Sequence, residues 1–409
     1  MKNFFKVLSI ILLAMIPGIF TVVKYNEKVY YNEDISVNSE ILEKKERMLD
    51  EAEYLKNGYY IDEAIKLLLS DKEIIDEDIN SVVEEYTNYK KNFVKYEGTI
   101  NHIFFHSLIV YPELAFDNVG HDSTGYNMWF NTTNEFKKML PLLKEQGFVL
   151  MKINDIYGSN KDGNMIRKEI YLPKGKKPLI ISQDDVNYYE YMKKDGFADR
   201  LIIDENNEVS TAVRNKNNKS EITRDGDMVP ILDDFIKDNP EFSYRGAKGI
   251  LAVTGYEGVL GYRLNSEENI KEAKAVVNKL KETGWLFASH SYTHNGKGYF
   301  GESPDYNKLL SDFNRWKDRI QPIIGETNIF IAPFGTTLEG KSFNLAKKFG
   351  FDIYCNVSRE ESKDKFINNT VVNSRFNIDG FSFNKAKDEV NSTFFNVDEV
   401  IDKSRPVMK

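Results

Sequence analysis

One short phrase recurs three times along the chain, as LKEQGF from Leu143 to Phe148, LKETGW from Leu280 to Trp285 and AKKFGF from Ala346 to Phe351. Each time a glycine closes an amphipathic run, and an aromatic residue opens an apolar stretch, VLMKI, LFAS and DIYC respectively. Helix, glycine and strand in that order are the units that feed a parallel sheet, because parallel neighbours need a crossover between them. Further apolar strands are expected at Ile103 to Val110, Leu179 to Gln183, Gly249 to Thr254 and Ile329 to Ala332. About seven such strands predict an α/β fold, a distorted (β/α)7-type barrel, with a doubly wound open sheet as the alternative.

The helices have recognisable starts. Thr132 and Glu135 are spaced as a capping box ahead of Phe136, Met139, Leu140 and Leu143. Ser303 and Pro304 read as an N-cap and first helical residue ahead of Leu309, Phe313, Trp316 and Ile320. Pro141 is expected to kink the first of these helices. Between Asp199 and Met228 a polar stretch has hairpin turn chemistry at Glu205-Asn206-Asn207, and it is expected either to wall a groove at the barrel mouth or to be a surface insertion.

Three domains are expected. Lys2 and Lys6 precede an uncharged run from Val7 to Val23, which reads as an export signal or membrane anchor over residues 1–24. The positive-inside rule then puts the rest on the extracellular face of the membrane, or leaves it secreted if the segment is cleaved. Residues 25–97 read as a helical stalk, rich in Glu, Lys and Leu with helical spacing at Ile61, Ala64, Ile65 and Leu68. Residues 98–409 are the catalytic domain.

Composition excludes some chemistries. A net charge of -8 offers no basic face to a phosphate backbone, so nucleic acid is not an expected partner. With one cysteine, Cys355, neither an internal disulfide nor a cysteine zinc cage is available. Any metal must be held by histidine and carboxylate, and only five histidines exist.

Two of them share one segment. Leu286 to His294, LFASHSYTH, is an apolar strand ending at His290 with His294 four residues on, a spacing that places both imidazoles on one side of a helical turn. Leu179 to Tyr189, LIISQDDVNYY, is a second apolar strand, ending in Asp184 and Asp185. Strand ends of a β/α barrel converge on one face, so the two pairs are expected to meet. Two histidines and one carboxylate leave open positions on a zinc-like ion, as a catalytic site requires.

These residues resemble the polysaccharide deacetylases, also called NodB-homology or carbohydrate esterase family 4 domains, over about His102 to Arg375. Ser182-Gln183-Asp184-Asp185 is similar to the family's T-F-D-D strand end, and His290-Ser291-Tyr292-Thr293-His294 to its H-[ST]-x-x-H segment. Ala332-Pro333-Phe334-Gly335 is similar to the motif that lines the groove, and IFFHSLI from Ile103 to Ile109 to the first strand. The resemblance implies a divalent ion, zinc foremost, on Asp185, His290 and His294, where it activates a water and polarises an acetyl carbonyl. It implies Asp184 as the base, the backbone N–H of Phe334 as an oxyanion donor, and Pro333 as part of the substrate groove. The expected activity is removal of N-acetyl groups from an N-acetylhexosamine polymer of the cell envelope. The alternatives are an O-acetyl esterase on polysaccharide and a degenerate domain that binds glycan without turnover.

The departures are specific. Val186 replaces the glycine that usually follows the Asp pair, and Ile331 stands where the family has an arginine that orients the base. No histidine follows His294, so the family's late proton donor has no counterpart. Arg375, placed at the substrate site, is the candidate to orient Asp184 in the missing arginine's stead, and Asp379, His106 and His121 are candidate donors. His102 receives no role.

Overall fold

The computed structural model describes residues 20–119, 123–301, 303–357 and 364–407, with the backbone alone described over 20–38. Contacts divide the chain into two units, Met1–Lys56 with Ile61–Asn88, and Asn57–Tyr60 with Tyr89–Lys409. In the first, helices α1 (Phe20–Asn57), α2 (Ile61–Leu68) and α3 (Glu77–Lys91) bury Ala52, Ala64, Leu68 and Ile79. Lys45 on α1 meets Asp76 at 2.6 Å and Asp78 at 2.9 Å, at the start of α3. Among the described residues no helix is long and apolar enough to cross a membrane. The expected export segment lies, through residue 19, outside the described residues.

In the second unit, apolar stretches form β1 (Asn101–Phe105), β2 (Lys177–Gln183), β3 (Ile250–Val253), β4 (Leu286–Ser289), β5 (Ile329–Ile331), β6 (Ile353–Val357) and β7 (Thr370–Asn377). Each pairs in parallel with the next and β7 pairs with β1, so the seven strands close in chain order as the expected (β/α)7-type barrel. Helices α4 (Thr133–Glu145), α5 (Met228–Asp238), α6 (Glu267–Glu282), α7 (Tyr306–Arg319) and α8 (Gly340–Lys348) supply crossovers. From β6 to β7 the described chain instead makes a hairpin, with Lys365–Ile367 antiparallel to β7.

The barrel differs from expectation at one strand. Phe148–Leu150 lies outside the ring, paired with Lys177 to Leu179 on β2, while β3 takes the later half of the same edge at Ser182 and Gln183. The seventh ring strand is β7, which hides its period-2 pattern by placing Asn373 and Arg375 inside.

Side-chain parity sorts the core. Ile180, Ile250, Ala252, Ala288, Ile331, Ile353, Cys355 and Val371 pack together inside the ring. The alternate residues Ile103, Phe105, Leu179, Ile181, Leu251, Val253, Phe330 and Tyr354 face outward, onto Phe136, Val277, Leu280, Phe313 and Trp316 of the helices. The recurring glycine is required where it stands: Gly147 and Gly284 have φ of 83° and 103°, and a Cβ would come within 2.6 Å of Gly175 O or 2.2 Å of Gly246 O.

The Thr132 capping box forms as read, with Glu135 Oε2 accepting from Thr132 N at 2.9 Å and Thr132 Oγ1 from Glu135 N at 3.1 Å. Buried Arg405 also holds Glu135, with Nε 2.6 Å from Oε1. Helix α4 runs on past Pro141 to Glu145. Helix α7 begins later than expected, because Asp305 rather than Ser303 caps it by accepting from Lys308 N at 2.9 Å, which leaves Pro304 ahead of the cap. The polar stretch after β2 is a meander of Ala198–Ile203, Val209–Arg214 and Ser220–Thr223, turning where Asp204 accepts from Asn206 and Glu208 N–H groups. Its apolar face, Leu201, Val209 and Val213, joins the outer core.

Candidate active site

The strand ends at one rim carry the polar residues. β2 delivers Asp184 and Asp185, β4 delivers His290 and then His294, β5 leads into Ala332 to Gly335, and β1 ends ahead of His106. Asp185 Oδ1 lies 3.9 Å from His290 Nε2 and 3.6 Å from His294 Nε2. One donor atom from each of the three falls within 4.8 Å of the others, the only such group of three or more metal-ligating side chains among the described residues. Metal bonds near 2 Å separate tetrahedral donors by roughly 3.3 Å, so this donor set fits a divalent ion with small adjustments.

The two histidines do not share a helical turn as expected. The chain after β4 bends instead, with Ser291 and His294 at positive φ of 66° and 45°, and the rings come to 5.0 Å. Asp312 on α7 holds the bend, accepting from Tyr292 N and Thr293 N, both at 2.8 Å, and from Thr293 Oγ1 at 2.6 Å. Asp185 and Phe334 also sit at positive φ, 55° and 58°. Non-glycine residues in this region cost about 1–3 kcal/mol each and collect where a ligand set must be held in place.

Two of the three candidate ligands, His290 and Asp185, are oriented by a neighbour. His290 Nδ1 lies 2.7 Å from the Ile331 carbonyl, which fixes its proton there and leaves Nε2 bare for a metal. Burial presses this imidazole toward its neutral form, against the pull of Asp184 and Asp185. Tyr189 Oη donates to Asp185 Oδ1 at 2.5 Å. Burial raises the Asp185 pKa, but His294, His290 and the Tyr189 bond more than offset it, and the carboxyl stays below its usual range.

Asp184 is buried, and Arg375 grips it with Nη1 on Oδ1 at 2.6 Å and Nη2 on Oδ2 at 2.9 Å. Burial alone would raise its pKa; Arg375 and His290 bring it down to about 2, so it is ionised. Of the two roles expected of Arg375, the geometry carries the orienting one: its side chain has no exposure, which removes it from the substrate surface. The arginine that stands on Asp184 thus comes from β7. Pro333 is buried, while Phe334 is 60% exposed with its ring 4.8 Å from that of His294.

The candidate donors separate clearly. Asp379 is a helix cap, buried and accepting from Ser382 N at 2.9 Å and Asn377 Nδ2 at 2.9 and 3.0 Å, so its carboxylate is spent on structure. His121 lies outside the described residues. His106 is half-buried at the rim, with Nδ1 3.1 Å from the Trp129 carbonyl, and it is near enough to Asp184, Asp185 and Asp379 to favour their carboxylates. The sequence signal for it was its position, a polar residue directly after an apolar strand, as in the other two motifs. Tyr189, Asp312 and His102 carried no such signal.

Residues 263–354 match the family described as polysaccharide deacetylase, a segment that contains His290, His294, Pro333 and Phe334 and lies beyond Asp184 and Asp185. No curated protein matches the chain. Among solved structures, the chain is similar to the Streptococcus pyogenes deacetylase PplD in complex with acetate, at 14% identity over 74% of this chain and 99% of that one, with a TM-score of 0.42. IcaB from Ammonifex degensii matches at 13% identity over 70% and 95%, with a TM-score of 0.41. The de-N-acetylase from Aggregatibacter actinomycetemcomitans matches at 14% over 69% and 96%, with a TM-score of 0.40. Over residues 263–354 the chain is thus similar to the polysaccharide deacetylases, and its seven closed parallel strands make a (β/α)7-type barrel.

Proposed function

We propose that this protein is a metal-dependent hydrolase that removes N-acetyl groups from an N-acetylhexosamine polymer. The observation that carries the reading is the convergence of Asp185, His290 and His294 within 4.8 Å, beside an Asp184 held ionised by Arg375. A divalent ion on the three ligands supplies a Lewis acid for the acetyl carbonyl and an acidified water.

The residues divide the remaining work. Asp184, fixed by two charge-assisted bonds, takes the proton of the attacking water. The Phe334 ring lies against that of His294, and its backbone N–H is assigned to the developing oxyanion. A leaving amine needs a proton, and His106, whose Nδ1 lies 3.1 Å from Trp129 O, is assigned to give it from Nε2 as the imidazolium, returning to the neutral ring. This donor favours amide over ester cleavage, since an ester has the better leaving group. Exposed Phe334, Trp129, Tyr191 and Tyr256, at 60, 42, 43 and 52%, offer aromatic faces to sugar rings. The charged, apolar start of the sequence supports a location outside the membrane.

The test is acetate release from N-acetylglucosamine oligomers by the zinc-loaded protein, beside O-acetylated xylan. Amine-forming turnover that falls at least a thousandfold, on the order of the barrier such groups supply, in Asp184→Asn is expected. A metal-loaded protein that binds oligomers without releasing acetate would instead establish a glycan-binding domain.

A further inference from the structure

Behind Asp184 a line of hydrogen bonds crosses the barrel interior. Arg375 Nη1 lies 3.2 Å from Ser182 Oγ, and Ser182 Oγ lies 2.9 Å from His102 Nε2. His102 Nδ1 lies 2.6 Å from Asn373 Oδ1, and Asn373 Nδ2 lies 3.2 Å from Tyr157 Oη. Tyr157 Oη ends the line on Asp364 Oδ1 at 2.5 Å. His102, Ser182, Asn373 and Arg375 are all at most 2% exposed.

Chemistry fixes the direction of every bond. Guanidinium has only donors, so Ser182 Oγ accepts from Arg375. At the far end the Asp364 carboxylate only accepts, so Tyr157 donates to it, Asn373 Nδ2 to Tyr157 and His102 Nδ1–H to Asn373 Oδ1. That leaves Nε2 to accept the Ser182 proton. The line runs one way, from the cation that holds Asp184 to a second carboxylate, and it closes only through a neutral His102 with its proton on Nδ1.

We propose that His102 is a positioning residue for the deacetylation centre: through Ser182 it fixes the Arg375 guanidinium, and so the direction in which Asp184 faces the reacting water. Arg375 has few other restraints. Its Nε has no partner among the described residues, and beyond Asp184 and Ser182 it rests on the Phe104 ring, 4.1 Å away, a contact that lets the guanidinium slide. A one-oxygen hold from Ser182 is what sets its position in the plane, and His102 is what orients that oxygen. This assignment rests on the deacetylase reading for its consequence in turnover, but its wiring is testable without catalysis.

The experiment has two arms on the full chain. Imidazole nitrogen NMR of wild-type protein labelled in histidine is expected to show His102 protonated on Nδ1 alone across about pH 5 to 8, where a free imidazole would titrate. In the second arm His102→Leu and Ser182→Ala each lower kcat about tenfold to a hundredfold, the usual range for groups that orient a ligand, with KM and metal content unchanged. Their double variant falls no further, and His102→Gln, whose amide can accept from Ser182 and donate to Asn373, recovers most of the rate. Ser182→Ala, which deletes one oxygen, carries the prediction if His102→Leu does not fold. A His102 proton on Nε2, wild-type kcat in Ser182→Ala, or additive losses in the double variant overturn the proposal. Absence of acetate release by wild-type protein overturns the deacetylase reading instead, and the NMR arm still decides the wiring.

Discussion

Arg375 holds Asp184 through two parallel bonds of 2.6 and 2.9 Å, joining the last strand of the ring to the second across the barrel mouth. Arg375 and Asp184 are 191 residues apart, and their side chains are 0% and 5% exposed. A buried pair of this kind contributes little net stability, yet breaking it leaves an uncompensated charge.

Replacement of that arginine therefore has two expected effects. Arg375→Met lowers the unfolding free energy by about 3–5 kcal/mol, since the Asp184 charge is left buried alone. Arg375→Met with Asp184→Asn recovers much of that loss, as urea unfolding of the four proteins measures. Turnover falls in all three variants, and Arg375→Lys, which keeps the charge without the fork, also loses most of it.

Tyr189 bears on metal retention rather than on the fold. Its phenol donates to the Asp185 oxygen that faces both histidines, so Tyr189→Phe frees that carboxylate to rotate. Zinc affinity is expected to fall about 10- to 100-fold, measured by competition with a chelating dye, with thermal unfolding of the metal-free protein nearly unchanged.

His106 separates the two substrate classes. His106→Asn is expected to slow amide deacetylation about 10²- to 10⁴-fold, the range of a lost general acid, while an activated aryl acetate is cleaved at nearly the wild-type rate. Equal losses on both substrates would assign His106 a structural role.

His102 predicts a stability change with a definite sign. Burial first, and then Arg375, lower its pKa from 6.5 to about 3, so the folded protein refuses a proton that the unfolded chain accepts. The stability this neutral ring confers is whole above pH 6.5 and is lost as pH falls toward 3, at up to about 1.4 kcal/mol per pH unit. His102→Gln cannot titrate, and its unfolding free energy should depend less steeply on pH between about 6 and 4. Equal slopes for the two proteins would contradict the neutral assignment.

Six strands of the ring and the placing of the two Asp and two His residues at strand ends were legible because their signals are local: a glycine after three of the helices, an apolar run before each polar strand end. Strand β7 was not, since Asn373 and Arg375 face inward and break the apolar alternation on which strand reading depends. The role of Arg375 depends on a contact across 191 positions, and that of His102 on its two partners from β2 and β7, none of which a one-dimensional pattern displays. The bend at Ser291 was hidden for a related reason, because Asp312 on a different helix stabilises it.

The central claim is that Asp185, His290 and His294 hold one divalent ion. Calorimetric titration of zinc into the metal-free protein tests it directly. One ion per chain is expected for the wild type, with binding lost in Asp185→Ala and in His294→Ala while circular dichroism stays unchanged. Undiminished binding by a variant lacking all three side chains, or none by the folded wild type, would contradict the account.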